Sequence, residues 1–288
     1  MLPGMNPIVL DGGLATHLET LGCDLSDDLW SARLLADDPG VIRQAHLDYF
    51  RAGADVATTA SYQASVPGFV RHGLTSQKAR DLIRLSVTLA VQARDEAGHG
   101  LVAASVGPYG AYLANGAEYT GDYDLDEDGL TEWHRERFEI LADAGVDLLA
   151  CETIPSRAEA RALARLLRET PSVRAWITFS CRDGEHVSDG TPFEECAAVF
   201  ADLPQVVAVG VNCTAPRFIP ELIKHGASIV YPNSGETWDA ANRRWLGLAD
   251  PVEFGRAAAG WASLGARYVG GCCRTTPAHI REIRSHLA

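Results

Sequence analysis

Three cysteines in the second half of the chain are the residues best suited to hold a metal ion. Cys213 follows one apolar segment, and the adjacent pair Cys272 and Cys273 follows another, directly after two glycines. Three thiolates suit Zn²⁺, and three protein ligands leave the fourth tetrahedral position open for water or a substrate. Buried free thiols, or a disulfide between Cys272 and Cys273, are the alternatives for the same residues. The remaining cysteines are interpreted as reduced thiols: Cys23, Cys151, Cys181 and Cys196.

Two acidic residues carry the second chemical signal. Asp11 is followed by Gly12 and Gly13, and Glu152 follows a buried apolar segment. Two carboxylates can hold an ammonium group, and free glycine amides at a turn can donate to a carboxylate, so the set predicts an amino-acid clamp. A glycosidase-type acid pair is an alternative for Asp11 and Glu152, but it leaves the three cysteines unexplained.

A recurring glycine pattern divides the chain into βα units. Gly53, Gly145, Gly226 and Gly265 each end a segment of helical periodicity and precede an apolar run. A glycine in the left-handed region is a common end of a helix, so each copy predicts a helix followed by a strand. The gaps between them, 92, 81 and 39 residues, fit two, two and one units of about 40 residues. Eight strands are predicted at residues 8–10, 56–59, 101–106, 148–150, 175–179, 206–211, 229–231 and 268–270.

Eight short strands that alternate with amphipathic helices, without a break resembling a linker, predict an α/β fold. We expect a single (β/α)8 barrel that forms one domain over residues 1–288. A doubly wound open sheet would need a glycine-rich phosphate turn after an early strand, and Gly12-Gly13 is not a G-x-G-x-x-G motif. In a barrel the two carboxylates and the three cysteines converge on one rim, because each follows a strand. Residues 107–130 form the longest stretch without clear periodicity, which is typical of a functional or disordered loop.

Composition limits the partners of this protein. Its 288 residues include 25 basic and 38 acidic side chains, a net charge of −13 that repels nucleic acid and anionic lipid. A cationic small molecule remains compatible, and five aromatic residues can offer ring faces to one: Trp30, Tyr109, Tyr112, Tyr119 and Tyr123. No apolar stretch is long enough to span a membrane, and the first residues lack the pattern of a secretory signal. A cytoplasmic location is therefore expected.

Several motifs resemble the homocysteine S-methyltransferase family. They are Asp11-Gly12-Gly13, the segment Gly210-Val211-Asn212-Cys213, and the segment 270–277, which reads Gly-Gly-Cys-Cys-Arg-Thr-Thr-Pro. The similarity extends from Asp11 to about Ile280. Residues 29–32, 46–49, 105–112 and 231–236 are similar to the bacterial enzymes that use S-methylmethionine.

The resemblance implies a (β/α)8 barrel with a Zn²⁺ ion held by Cys213, Cys272 and Cys273. It also implies a homocysteine clamp that falls on Asp11, Glu152 and the backbone of Gly12 and Gly13. Trp30 resembles the tryptophan that faces the methyl donor in betaine-using relatives. We also expect Tyr109 to contact substrate.

The function expected from these residues is zinc-dependent methyl transfer from a sulfonium donor to the thiol of L-homocysteine, which forms methionine. S-methylmethionine is the expected donor, S-adenosylmethionine is a second one, and betaine is a weaker one. No catalytic side chain beyond the metal centre is predicted, because a sulfonium releases a neutral thioether without a general acid. A zinc-dependent hydrolase and a non-catalytic zinc- or thiol-binding protein are the competing hypotheses. The chain is expected to be a monomer or a small homo-oligomer.

Overall fold

The computed structural model describes residues 7–25, 30–239, 244–246 and 249–287. The strands in this part are β1 (Ile8–Val9), β2 (Val56–Thr58), β3 (Leu101–Val106), β4 (Leu148–Ile154), β5 (Ala175–Phe179), β6 (Val206–Asn212), β7 (Ile229–Tyr231), β8 (Thr237–Asp239), β9 (Arg244–Leu246) and β10 (Tyr268–Val269).

Helices follow the strands along the chain. They are α1 (Leu14–Thr20), α2 (Leu34–Asp37), α3 (Pro39–Arg51), α4 (Val66–Arg71), α5 (Ser76–Ala97), α6 (Tyr109–Leu113), α7 (Glu127–Ala142), α8 (Arg157–Glu169), α9 (Phe193–Ala198), α10 (Ile219–Lys224), α11 (Pro251–Leu264) and α12 (Pro277–Leu287). Short 3₁₀ segments cover Trp30–Arg33, Ala117–Tyr119 and Pro216–Phe218. Within the described ranges, no helix combines the length and the apolar character needed to cross a membrane.

Eight of the strands form one parallel sheet in the order β1-β10-β7-β6-β5-β4-β3-β2. The two ends of the sheet meet at a parallel bridge between Leu10 and Val56. Backbone hydrogen bonds from Asp11 to Val56 (3.0 Å) and from Asp55 to Val9 (2.7 Å) complete the closure. The chain is therefore a single (β/α)8 barrel, as the sequence predicts.

Two apolar layers stabilise the barrel. The larger layer lies between the strands and the surrounding helices, and it includes the fully buried side chains of Leu18, Phe69 and Phe138. The smaller one gathers side chains from the barrel strands, among them Trp176 and Tyr231. Successive side chains of a strand point to opposite faces, so this smaller cluster fills the barrel interior. Side chains at the carboxyl-end rim therefore lie directly above a packed barrel interior.

The predicted strands agree closely with the observed ones, and two differences concern the rim. Gly53, Gly145, Gly226 and Gly265 all have positive φ, as their predicted position after a helix requires. Strand β4 continues four residues beyond the predicted segment and shifts its register against β5 between Cys151 and Ile154. The antiparallel hairpin of β8 and β9 follows β7 and was not predicted, because its sequence shows no clear alternation of apolar and polar residues.

Candidate functional site

The three cysteines predicted as metal ligands lie together at the carboxyl-end rim. Cys213 directly follows β6, and Cys272 and Cys273 lie in the segment after β10. Their sulfur atoms all lie within 4.8 Å of one another, and each residue is half-buried. All three are free thiols, so the alternative of a Cys272–Cys273 disulfide is not what the structure contains. Three sulfurs at this separation match the donor set that holds a soft divalent cation.

The backbone around the sulfurs adopts conformations that are unfavourable for residues with a side chain. Thr153, Cys213 and Arg274 have φ angles of +62°, +47° and +66°. Such positions cost of order 1–3 kcal/mol each and persist where neighbouring groups hold them. The Asn212 side chain accepts a hydrogen bond from the Thr153 amide at 2.7 Å, and the Thr16 hydroxyl accepts one from the Arg274 amide at 3.0 Å. The chain itself thus fixes the direction of the sulfur-bearing segments.

Hydrogen bonds connect the three sulfurs. Hydrogen bonds donated by the Cys213 and Cys272 thiols lower the pKa of Cys273 well below its usual range. The hydrogen bond with Cys272 lowers the pKa of Cys213, but the hydrogen bond to Cys273, burial and the charges of Cys273 and Glu152 together raise it well above its usual range. The pKa of Cys272 is likewise raised, first through its hydrogen bonds with Cys213 and Cys273. A bound cation would favour loss of the remaining protons, because metal coordination deprotonates thiols.

Asp11 follows β1 and is almost completely buried. Its carboxylate accepts hydrogen bonds from the Thr58 amide at 2.7 Å and from the Thr58 hydroxyl at 3.1 Å. Burial raises the pKa of Asp11 to about 8, and the charge of Glu152 adds to the increase. The negative charge of Glu152 therefore acts on Asp11 across the rim.

Glu152 lies in the irregular part of β4 and is also buried. Its carboxylate accepts hydrogen bonds from the Ser105 hydroxyl and, at 2.9 Å, from the Tyr231 hydroxyl. Burial raises the pKa of Glu152 to about 7, although both hydrogen bonds act in the opposite direction. The Tyr231 hydroxyl is itself held by the Trp176 indole at 3.2 Å and by Thr178 at 2.7 Å. Side chains of the barrel interior thus fix the position of this carboxylate.

Asp11 and Glu152 share one unusual property. Within the described ranges, neither carboxylate forms an ion pair with a basic side chain, although both are buried. A buried carboxylate without a cation is costly, and its raised pKa expresses that cost. An ammonium group placed between the two would remove the repulsion and stabilise both charges. This rim is therefore suited to a ligand with a primary amine.

The two glycines after Asp11 differ in what their amides can do. The Gly13 amide donates to the Thr275 hydroxyl at 3.0 Å, so the expectation of a free amide at Gly13 is wrong. A Cβ atom at Gly13 would lie 2.5 Å from the Cys272 carbonyl oxygen, and one at Gly12 would lie 2.9 Å from the Tyr49 ring. In the described part of the chain, no residue accepts a hydrogen bond from the Gly12 amide. Only Gly12 is thus available for a ligand carboxylate.

Tyr109 and Trp30 are the two aromatic residues predicted to contact substrate, and the structure describes the side chain of Tyr109 alone. The Tyr109 ring packs against Tyr112, Tyr123 and Trp133, and its hydroxyl donates to Asp124 at 3.2 Å. These contacts place the ring in an aromatic cluster and lend no support to a contact with substrate. Trp30 begins the first 3₁₀ segment, but its side chain lies outside the described residues, and its predicted role stays a prediction.

Three further residues lie near the sulfurs. Tyr62 and Glu118 were not predicted as site residues, and Tyr119 was predicted only as one of five aromatic residues that can offer a ring face to a cation. Tyr62, from the loop after β2, lies within the electrostatic influence of Cys213 and within hydrogen-bond reach of Thr153. The Tyr119 hydroxyl donates towards the Cys273 sulfur. Glu118 precedes it, and burial together with the charge of Cys273 raises the pKa of its carboxyl. One Glu118 oxygen is buried and accepts no hydrogen bond within the described ranges.

Tyr62, Glu118 and Tyr119 lie on one side of the sulfur cluster, and we name these three residues the donor wall. Glu118 and Tyr119 belong to the 3₁₀ segment in the loop between β3 and α7, which the sequence marks only as aperiodic. The sequence signal that could have identified them is the carboxylate of Glu118 next to the aromatic Tyr119 in the longest irregular stretch of the chain.

A closed barrel with a cysteine cluster and two unpaired buried carboxylates on its carboxyl-end rim defines a (β/α)8 enzyme with a thiol-rich active site. Residues 8–287 match the family model described as homocysteine S-methyltransferase. The chain is 51% identical to a Bacillus subtilis protein named homocysteine S-methyltransferase YbgG, over 96% of this chain and 93% of the relative. It is 47% identical to the homocysteine S-methyltransferase of Escherichia coli, over 99% of this chain and 96% of the relative.

Solved structures agree with the sequence matches. The metallated form of the E. coli homocysteine methyltransferase MmuM superimposes with a TM-score of 0.88 at 46% identity, covering 99% of this chain and 97% of that one. The chain belongs to the homocysteine S-methyltransferase family, and it is a methyltransferase.

Proposed function

We propose that this enzyme transfers a methyl group from a sulfonium donor, S-methylmethionine, to the thiol of L-homocysteine with the help of a bound Zn²⁺ ion. The observation that carries the proposal is the shared rim: the sulfur cluster, the unpaired carboxylates and the donor wall all surround the same end of the barrel. The names of the E. coli and B. subtilis relatives support homocysteine as the acceptor. In this proposal residues 1–288 form one catalytic domain.

Cys213, Cys272 and Cys273 would hold the ion. The donor set fits Zn²⁺, because three soft thiolates bind it well and leave one position for the sulfur of a substrate. The relative described as metallated supports a metal at this site. When bound, the ion would supply a homocysteine thiolate at neutral pH, where a free thiol with a pKa near 8.5 is mostly protonated.

Asp11 and Glu152 would bind the ammonium group of homocysteine, and the Gly12 amide would donate to its carboxylate. Both carboxylates are unpaired and buried, so a charge-assisted hydrogen bond to either is strong. Tyr231 and Ser105 hold Glu152 in place, and Thr58 holds Asp11. This arrangement would orient the amino acid so that its side chain extends towards the cysteines.

The donor wall would receive the sulfonium. Tyrosine rings attract cations through their faces, and the Glu118 carboxylate adds a negative charge beside them. The positive charge disappears as the methyl group is transferred, so binding the cation too tightly would slow the reaction. The leaving thioether is neutral and needs no general acid. The wall would contribute by aligning donor sulfur, methyl carbon and acceptor sulfur in one line.

An assay with a panel of donors tests the proposal. Purified enzyme, reduced and loaded with Zn²⁺, is incubated with L-homocysteine and S-methylmethionine, S-adenosylmethionine or betaine, and methionine is quantified. We expect rapid formation of methionine from S-methylmethionine, slower formation from S-adenosylmethionine and little from betaine. If no sulfonium donor yields methionine, the proposal is wrong.

Glu118→Gln is expected to raise the KM for S-methylmethionine about tenfold and to leave the KM for homocysteine within twofold. The substitution keeps the shape of the side chain but removes the negative charge that faces the donor, a loss of about 1.4 kcal/mol for a tenfold effect. Steady-state kinetics with each substrate varied in turn measures both constants. Glu132→Gln, an exposed carboxylate on α7, is the matched control. Equal increases in the two KM values would remove Glu118 from the donor site.

A further inference from the structure

A chain of three buried polar side chains connects two outer helices to the rim. Arg137 and His134 lie on α7 and Glu159 lies on α8, and all three are almost completely excluded from solvent. The guanidinium of Arg137 donates to His134 Nδ1 at 3.1 Å. His134 Nε2 then donates to Glu159 Oε1 at 2.8 Å. Burial lowers the pKa of His134, so it joins a buried cation to a buried anion as a neutral ring.

The free ends of this chain bind backbone atoms of the two loops that carry the donor wall. Arg137 donates to the Tyr62 carbonyl at 3.2 Å and also to the Gly107 carbonyl at the end of β3. Glu159 accepts from the Tyr109 amide at 2.6 Å. The two loops touch here, because a Cβ atom at Gly107 would lie 2.4 Å from the Tyr62 carbonyl oxygen. The Arg137 guanidinium therefore joins the loops after β2 and β3 at the point where they touch.

From this junction, packing leads directly to the donor wall. The Tyr62 side chain lies within the electrostatic influence of Cys213. Tyr109 begins α6, and the next residue, Gly110, packs so tightly on the 3₁₀ segment that a Cβ atom there would lie 2.3 Å from the Glu118 amide nitrogen. Helix α6 is therefore closely packed on the segment with Glu118 and Tyr119. Asp11 and Glu152 receive their hydrogen bonds from other residues.

Burying the charges of an arginine and a glutamate is an unfavourable way to stabilise a barrel. Desolvation of two charges costs several kcal/mol, and apolar residues of similar volume often stabilise a fold equally well. What apolar residues cannot do is bind two carbonyls and one amide of neighbouring loops in a fixed direction. The hydrogen bonds of Arg137 and Glu159 therefore hold backbone atoms of both loops in a fixed direction.

We infer that Arg137, His134 and Glu159 form a positioning relay that sets the donor wall above the sulfur cluster and thereby determines donor binding. The inference rests on the proposed function for the identity of the donor. The relay acts through Tyr62, Glu118 and Tyr119 and touches neither substrate. It therefore governs the KM for the sulfonium and leaves metal content and homocysteine binding unchanged.

Paired substitutions at His134 test the relay. His134→Leu removes both hydrogen bonds, whereas His134→Gln keeps one acceptor and one donor. We expect His134→Leu to raise the KM for S-methylmethionine at least tenfold, with the KM for homocysteine and the zinc content within twofold of the original enzyme. His134→Gln is expected to restore the donor KM to within about threefold. Arg135→Gln, on the exposed side of the same helix, is the control.

The outcomes separate a positioning role from a merely structural one. A His134→Leu enzyme that unfolds at a lower temperature but keeps its donor KM, or that loses affinity for both substrates equally, overturns the inference. If His134→Leu does not fold, Arg137→Lys and Glu159→Gln carry the same test, each with an expected donor-specific increase of about fivefold or more. An original enzyme without donor turnover would instead contradict the proposed function, which the donor panel establishes beforehand.

Discussion

Cys272→Ser is expected to abolish metal retention while the barrel remains folded. The serine hydroxyl is a poor ligand for Zn²⁺ at neutral pH, and the backbone bonds of residue 272 to Pro232 and Thr275 do not involve the sulfur. Methyl transfer should fall by more than about a hundredfold, beyond the 10–100-fold effect of changes outside the ligand set. Elemental analysis, circular dichroism and the methionine assay on one preparation measure the three quantities.

Cys23→Ser is the matched control for this loss. Cys23 is a half-buried free thiol outside the cluster, so its replacement should leave zinc content and activity unchanged. Stoichiometric zinc in the Cys272→Ser protein would show that the cluster is not the metal site. Loss of zinc together with loss of secondary structure would instead assign the cysteine to folding.

Glu152→Gln is expected to raise the KM for homocysteine by about 10–100-fold with the zinc content unchanged. The substitution removes one of the two negative charges proposed to hold the ammonium group, and a hydrogen bond to a charged group contributes roughly 1.5–3 kcal/mol. Steady-state kinetics at saturating donor measures the effect. Glu139→Gln, an exposed carboxylate on α7, is the control. An unchanged homocysteine KM would exclude Glu152 from the clamp.

The same clamp predicts how amino-acid binding depends on pH. The pKa values of Asp11 and Glu152 lie at about 8 and about 7 in the free protein, and a bound ammonium favours the charged carboxylates. Affinity should therefore rise as pH increases through 7 to 8, with proton release on binding. Calorimetry with L-methionine, which lacks a titrating thiol, measures this directly. In Glu152→Gln the part of the transition near pH 7 should disappear and the part due to Asp11 should remain, because burial is the main cause of the raised pKa of Asp11.

The barrel and the meeting of the three cysteines were predictable because the signals for helices and strands are local. Each helix ends at a glycine that requires positive φ, and each strand is a short apolar run, so the order of elements follows from the sequence. Once the barrel is accepted, the end of every strand lies on one rim. Cys213, Cys272 and Cys273 then have to meet although 59 residues separate the first two, and the structure brings them together.

Features that depend on contacts between loops were not predictable. The Gly13 amide is occupied because Thr275, 262 residues away, folds back onto it. Glu118 and Tyr119 lie near Cys273, on a 3₁₀ segment that Gly110 allows to pack closely on α6. Tyr109 lies in an irregular stretch where no periodicity indicates which way its ring points. In each case the deciding partner is remote in sequence, and residue types alone do not identify it.

Asn212 and Thr16 hold Thr153 and Arg274 in left-handed conformations through hydrogen bonds of the polypeptide itself. If the three cysteines hold the ion as proposed, the backbone helps to set the direction of each sulfur. A cation that prefers a different coordination geometry from that of Zn²⁺ would then fit the same three sulfurs less well.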